Sequence, residues 1–346
     1  MKRLFGELNG VPIYEYTLKN KRGTEFSALN YGAIVTRIVT ENQFGEFQNI
    51  CLGFHSLDDY LAYSPYFGAF VGRVAGRIRN GSFWLDGKHY DLVKNAGVHQ
   101  LHGGRPNFSK TVFEVEETAN SLIFSYKSPA FQNGYPGEVD VVMRYTLTEE
   151  DAWVIEYEAD TDQPTLFNPT NHTYFNLSGD VKKSILKNEL FVRSHAYACI
   201  DEELIPTGEL REVFGTAFDF NEAKQIQSAI LKGDPQMDLA SGGLDHGFVL
   251  EHVRNQPDAI LVDRDSGRGI KMETDAPAVV IYTGNTLTGD YTVFGDKIRP
   301  FSGITFETQS LPDAIHHPHF GDIVLRPGTP FYSKTIFRFF VNKARN

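Results

Sequence analysis

Apolar and polar residues alternate along much of the chain with a period of two, the spacing that sends successive side chains to opposite faces of a strand. Residues 82–92 form two short runs of this kind, joined by Asp86-Gly87, a strong hairpin signal. Residues 139–147 and 153–159 predict a second pair, joined by the polar turn Thr148-Glu149-Glu150-Asp151. Residues 278–282 are continuously apolar, and Thr283-Gly284-Asn285 then breaks the run. Aromatic-rich strand material over 328–341 closes the chain. Turn signals recur about every 8–12 residues, as in a sandwich or barrel. Only two helical segments are predicted: residues 56–63, capped by Ser56, and residues 221–231, capped by Asn221 with Gly233 just beyond. Strands and helices do not alternate, which argues against a doubly wound parallel sheet. The expectation is one all-β unit over residues 1–346, built as two packed sheets.

Composition narrows the function classes. The 346 residues can bury a large core, and all-β units of such length need not divide into domains. Phe, at 27, and Tyr, at 16, favour strands but also stack on sugar rings, so their number does not choose between fold and function. The formal charge of −11 argues against nucleic acid or an anionic membrane as partner. Residues 1–8 lack the apolar run of a secretory signal, and no stretch of about 18 apolar residues suggests a spanning helix. Two cysteines, Cys51 and Cys199, make no disulfide framework. A cytoplasmic location is expected.

Several polar groups stand out against this background. In Asn168-Pro169-Thr170-Asn171-His172-Thr173-Tyr174-Phe175-Asn176-Leu177, a strand would put Thr170, His172, Tyr174 and Asn176 on one face. His172 then either lines a cleft or is merely solvated. In the segment 303–309, Thr305, Glu307 and Gln309 would share a face. A mid-strand carboxylate is disfavoured without a use, although an outward surface glutamate fits the same pattern. His102 precedes Gly103-Gly104, which permit close approach of backbone or ligand. Arg73, Arg77 and Arg79 either clamp a ligand or pair with the acidic surface. Asp245 lies in a Gly-rich stretch where aspartate is most often a turn former. His316-His317-Pro318-His319 reads as a loop rather than a metal tract. Four Asn-x-Ser/Thr sequences, beginning at Asn80, Asn107, Asn171 and Asn176, read as chance matches.

Taken in order, six strings resemble the aldose 1-epimerases, or galactose mutarotases. They are Gly72-Arg73-Val74-Ala75-Gly76-Arg77-Ile78, Leu101-His102-Gly103-Gly104, the Asn168–Leu177 stretch, Leu244-Asp245-His246, Tyr282-Thr283-Gly284-Asn285, and Phe306-Glu307-Thr308-Gln309 with Leu311-Pro312-Asp313-Ala314. Asn30-Tyr31-Gly32-Ala33 matches an early turn of the same family. The resemblance implies a β-supersandwich that acts on free aldohexoses such as galactose and glucose without cofactor or metal, as a monomer or homodimer. By resemblance, His172 is the general acid, Glu307 the general base and His102 a second imidazole near the ring oxygen. Arg77 and Asp245 hold sugar hydroxyls. Two positions depart from the family pattern: Gly76, where many members have Asn, and Val280, where many have Gln.

The implied chemistry is proton transfer. Opening the sugar ring removes a proton from the C1 hydroxyl and adds one to the ring oxygen, and rotation about C1–C2 with reclosure gives the other anomer. Such transfer is best served by groups whose pKa values lie near the working pH. Burial is expected to raise Glu307, and neighbouring carboxylates to raise His172. Two other readings share these residues. A sugar-binding module would need no acid and base together. A sugar-phosphate epimerase would need a cationic clamp, for which the three arginines are available.

Overall fold

In the computed structural model, residues 1–63 and 65–342 are described; Ser64 and residues 343–346 of the expected unit lie outside them. Three antiparallel sheets carry the architecture. Nine strands run from the edge Glu114–Glu117 through Ser121–Ser128, Val139–Leu147, Ala152–Thr161, Phe331–Val341, Arg268–Thr274, Ala259–Val262 and Glu189–Val192 to Lys224–Gln225. Six strands follow the order Tyr174–Phe175, Ile304–Gln309, Ala278–Tyr282, Asp245–Leu250, Ser194–Ile200 and Pro206–Glu212. The residues before Ile50 fold as a five-stranded meander, so a third layer joins the two large sheets expected.

Period-two patterning explains how these sheets meet. Along Val139–Leu147 the residues Val139, Val141, Met143, Tyr145 and Leu147 are buried, and the intervening ones are not. Trp153 stacks on Phe337 within the large sheet and reaches Phe26 of the meander. Phe175 of the six-stranded sheet packs on the same Phe337, and Thr308 and Thr335 join hydroxyls at 2.7 Å across the same interface. The nine-stranded sheet therefore packs on both of the others, around one shared core. In the six-stranded sheet, by contrast, Ala278–Ile281 and Ile304–Gln309 are buried on both faces. One face meets the core, and the other is the floor of a cleft, which accounts for the unbroken apolar run at 278–282.

The hairpin at Asp86-Gly87 forms as expected, with Leu85 opposite Lys88 and both turn residues at positive φ. Ser56 caps the helix Leu57–Ala62 by accepting the Asp59 N–H. The second helix is shorter than expected. It spans Ile226–Lys232, starting five residues beyond Asn221. Asn221 instead exchanges hydrogen bonds with the backbone of Ser194, and Lys224–Gln225 pair as a strand with Glu189–Val192. Tertiary pairing thus outweighs the local capping signal. A short third helix, Pro235–Leu239, adds to the two expected; Asp234 caps it by accepting the Gln236 N–H, and Pro235 opens it. Among the described residues, no helix is long and apolar enough to cross a membrane.

Candidate active site

The strand expected around His172 is broken at Thr173. Asn171 Oδ1 accepts both the N–H and the hydroxyl of Thr173, a local turn that competes with the ladder. Thr170–His172 pairs with Ala69–Val71, and Tyr174–Phe175 pairs with Ile304–Gln309. This change of partner brings His172 over the neighbouring sheet. His172 Nε2 lies 3.3 Å from Glu307 Oε1, and the two residues are 5% and 3% exposed. Neither the solvated histidine nor the outward glutamate survives as a reading.

Register on the six-stranded sheet builds the rest of the floor. Glu307 stands opposite Val280, which stands opposite Gly247; two residues along each strand, Thr305, Tyr282 and Asp245 form a second such row. Alternate residues share a face, so Glu307, Asp245 and Tyr282 point to the same side. They line a cleft of about 480 Å³ with His172, His102, Arg77 and Tyr66. Thr283 and Asn285 of the Tyr-Thr-Gly-Asn string do not enter it. They hold the backbone of Leu244, and so the start of the Asp245 strand, through Thr283 Oγ1 at 2.9 Å and Asn285 Nδ2 at 2.9 Å. A side chain at Gly243 would collide with Asn285.

His102 arrives on a different scaffold. Arg77 pairs with Leu101, and the backbone of Gly76 both accepts from the His102 N–H at 2.9 Å and donates to His102 Nδ1 at 3.2 Å. Gly103 has φ +81°, and a Cβ there would lie 2.1 Å from the Gly72 carbonyl, so the Gly-Gly pair serves close approach of backbone to backbone. Because Nδ1 accepts from Gly76, neutral His102 carries its proton on Nε2. The same hydrogen bond bears on metal binding. His102, His172 and Glu307 offer ligand atoms within 4.8 Å of one another, in a His-His-Glu set. A metal on Nε2 of His102 would require the proton on Nδ1, facing a backbone N–H, so the residues do not fit an ion well.

Burial dominates the electrostatics. Glu307 is pushed up to about 8 by burial and then by Asp245, against the Thr305 hydroxyl and Arg77. Asp245 is also raised by burial, with Arg77 opposing. His172 is pushed down to about 4 by burial, with only its own backbone carbonyl opposing. The expected upward shift of His172 is therefore corrected: burial disfavours the imidazolium, and Glu307, itself raised to about 8, is protonated where His172 titrates and offers it no carboxylate. His102 is lowered well below the usual imidazole range by burial, then His172 and Arg77.

The three arginines separate. Arg77 alone lines the cleft. Arg73 is buried and donates to Ser128, Pro129, Pro136 and Gly137. Arg79 pairs with Asp201 at 2.9 Å. His316 and His317 both approach the Asp313 carboxylate, at 2.7 and 3.6 Å, while His317 and His319 also reach the Pro206 and Gly208 carbonyls; among the described residues these histidines do not gather as a metal-ligand set. Asn107, Asn171 and Asn176 are buried, which fits chance sequence matches. Sequence reasoning gave no role to Tyr66 or Tyr282. Tyr282 was accessible through its alternation with Val280. Tyr66 had no such signal.

Comparison with known proteins agrees with this geometry. The family model for aldose 1-epimerase matches residues 14–338. Galactose mutarotase from Bos taurus is 38% identical over 315 residues, covering 90% of each chain, and that from Homo sapiens is 36% identical over 98% of each. The crystal structure of galactose 1-epimerase from Lactobacillus acidophilus superposes with a TM-score of 0.87 at 31% identity, covering 99% of this chain and 98% of that one. With the fold and the residue strings in agreement, the chain belongs to the aldose 1-epimerase family.

Proposed function

We propose that the protein interconverts the α and β anomers of free aldohexoses such as galactose and glucose, with Glu307 as general base and His172 as general acid. The observation that carries this reading is the 3.3 Å contact between two buried titratable groups on the floor of a cleft. Glu307 removes the C1 hydroxyl proton while His172 donates to the ring oxygen. The ring opens, C1–C2 rotates, and closure reverses the transfers. Arg77 and Asp245 bind sugar hydroxyls, and His102 offers its Nε2–H near the ring oxygen. Only protons move, so the scheme uses no cofactor and no metal.

The pair has the proton inventory that the reaction needs. Between about 4 and about 8, one proton resides on His172 and Glu307 together. Without sugar its resting place is Glu307. Sugar hydroxyls and Arg77 stabilise the carboxylate in the complex, and the proton crosses to His172. Arg77 faces two carboxylates in the cleft, which disfavours a phosphorylated substrate. The acidic surface fits a small neutral ligand in the cytoplasm, bound by a monomer or homodimer, rather than nucleic acid or membrane.

Polarimetry on freshly dissolved α-galactose and α-glucose tests this reading. The expected result is faster approach to the equilibrium rotation than in buffer. Binding without acceleration would indicate a sugar-binding module. Acceleration confined to hexose phosphates would indicate the sugar-phosphate epimerase.

A further inference from the structure

A histidine that moves protons is ordinarily oriented through its second nitrogen, by a carbonyl or carboxylate. His172 lacks this support from any other residue: its Nδ1 is sealed from solvent, and its own backbone carbonyl, the one polar group beside it, does not meet hydrogen-bond geometry. Aromatic rings surround it instead. Tyr66 lies 5.8 Å from the imidazole at an interplanar angle of 35°, Tyr174 lies 5.0 Å away, and His102 lies 5.3 Å away and nearly perpendicular. Tyr66 also packs edge-on against His102 at 4.7 Å, so one ring touches both imidazoles. The Tyr174 hydroxyl donates to the Pro65 carbonyl at 3.1 Å, tying one wall of this enclosure to the residue before Tyr66. Tyr66 itself sits at φ +60°, a conformation that a bulky side chain adopts only when its surroundings impose it. With Tyr63 and Pro65, it lines both the cleft and a second cavity of only about 10 Å³, lined in part by Ile34, Phe54 and Phe67.

We propose that Tyr66 is a positioning residue that fixes the orientation of His172 by ring packing, in place of a partner residue on Nδ1, and shields the imidazole from water. The inference rests on His172 being the acid. Tyr66 takes no proton, and its hydroxyl, which Asn107 and Arg105 approach, does not face the imidazoles its ring packs on, so phenylalanine can replace it. Truncation to alanine removes the ring that packs on both imidazoles, frees His172 to turn away from Glu307 Oε1, and admits water from the cleft. The ionisable groups facing His172 are then Glu307, His102 and Tyr174, and none of them supplies a substitute hold on Nδ1.

The test measures kcat, KM and the pH dependence of kcat/KM for Tyr66→Ala, Tyr66→Phe and Tyr174→Phe, with thermal melts to establish folding. Tyr66→Ala is expected to lower kcat on the order of 10- to 100-fold, as for a misplaced catalytic group. Its KM should change less than its kcat, and the acid limb of the profile should move upward as water reaches His172. Tyr66→Phe should retain kcat and the profile. Tyr174→Phe, which loses only the tie to Pro65, should lower kcat in the same direction by less. A folded Tyr66→Ala with unchanged kcat and acid limb overturns the proposal, as does a Tyr66→Phe as impaired as Tyr66→Ala. His172→Ala separates the inference from its premise: if that variant is fully active, the acid assignment fails; if it is inactive while Tyr66→Ala is normal, only the positioning role fails.

Discussion

If Glu307 is the base proposed above, it is where activity and stability oppose each other most directly. Its folded pKa is raised from 4.5 to about 8, whereas the unfolded chain has no reason to depart from the ordinary value. A raised folded pKa adds stability that is complete below about 4.5 and is lost as pH rises through 8. Glu307→Gln removes this penalty and keeps the shape. The variant should lose about 10²- to 10⁴-fold in kcat, the usual worth of a general base. It should also melt at a higher temperature than the parent at pH 8, with the difference shrinking towards pH 4.5. Calorimetry at both pH values checks this. A variant–parent difference that is the same at both pH values would mean that the folded carboxyl is not raised.

At the scale of elements, the turns and closely approached glycines separate structure from function. Gly87, at φ +77°, has open space where a Cβ would go; Gly76, at φ +72°, has Pro312 Cβ at 2.7 Å and supplies both backbone hydrogen bonds to His102. Gly87→Ala should cost about 1–2 kcal/mol through the left-handed backbone alone and leave kcat unchanged. Gly76→Ala adds a collision and displaces His102, so kcat should fall as well. Paired melting and turnover measurements distinguish the two. The same elements show what sequence pattern can carry. Asp86-Gly87 named its own turn, and the alternation in 139–147 named its buried face, because both depend on neighbours along the chain. The end of the His172 strand was not legible, although its cause, the Asn171–Thr173 turn, is local. The later start of the second helix was set by pairing with residues 189–190, more than thirty positions away. At the site, Glu307 and His172 each read as ambiguous alone. Only the resemblance joined them, and the reversal of the His172 shift required knowing how deeply it is buried.

Over the whole molecule, the nine-stranded sheet shares a single core with both of its neighbours, and we propose that the described residues unfold as one unit. One calorimetric transition is expected, and two resolved transitions would contradict it. Acid should be the weak side. His172, at about 4, and His246, at about 3, are held neutral by burial, below the ordinary 6.5. A depressed folded pKa gives stability present above 6.5 and lost as pH falls through the folded value, because the unfolded chain takes up protons first. Denaturant midpoints should therefore drop steeply between about pH 6 and pH 4.

In the proposed mechanism, one proton shared by a buried histidine and a buried glutamate catalyses the interconversion of anomers. The pH dependence of kcat/KM for α-galactose tests it most directly. The pair lacks a base when doubly protonated and an acid when fully deprotonated. The profile should therefore be a bell with limbs near 4 and near 8, the values set by His172 and Glu307 in the unliganded site. In Glu307→Gln the residual rate should show no limb near 8. A profile that stays level through pH 8 and beyond in the parent protein, or an upper limb that persists in Glu307→Gln, would contradict the account.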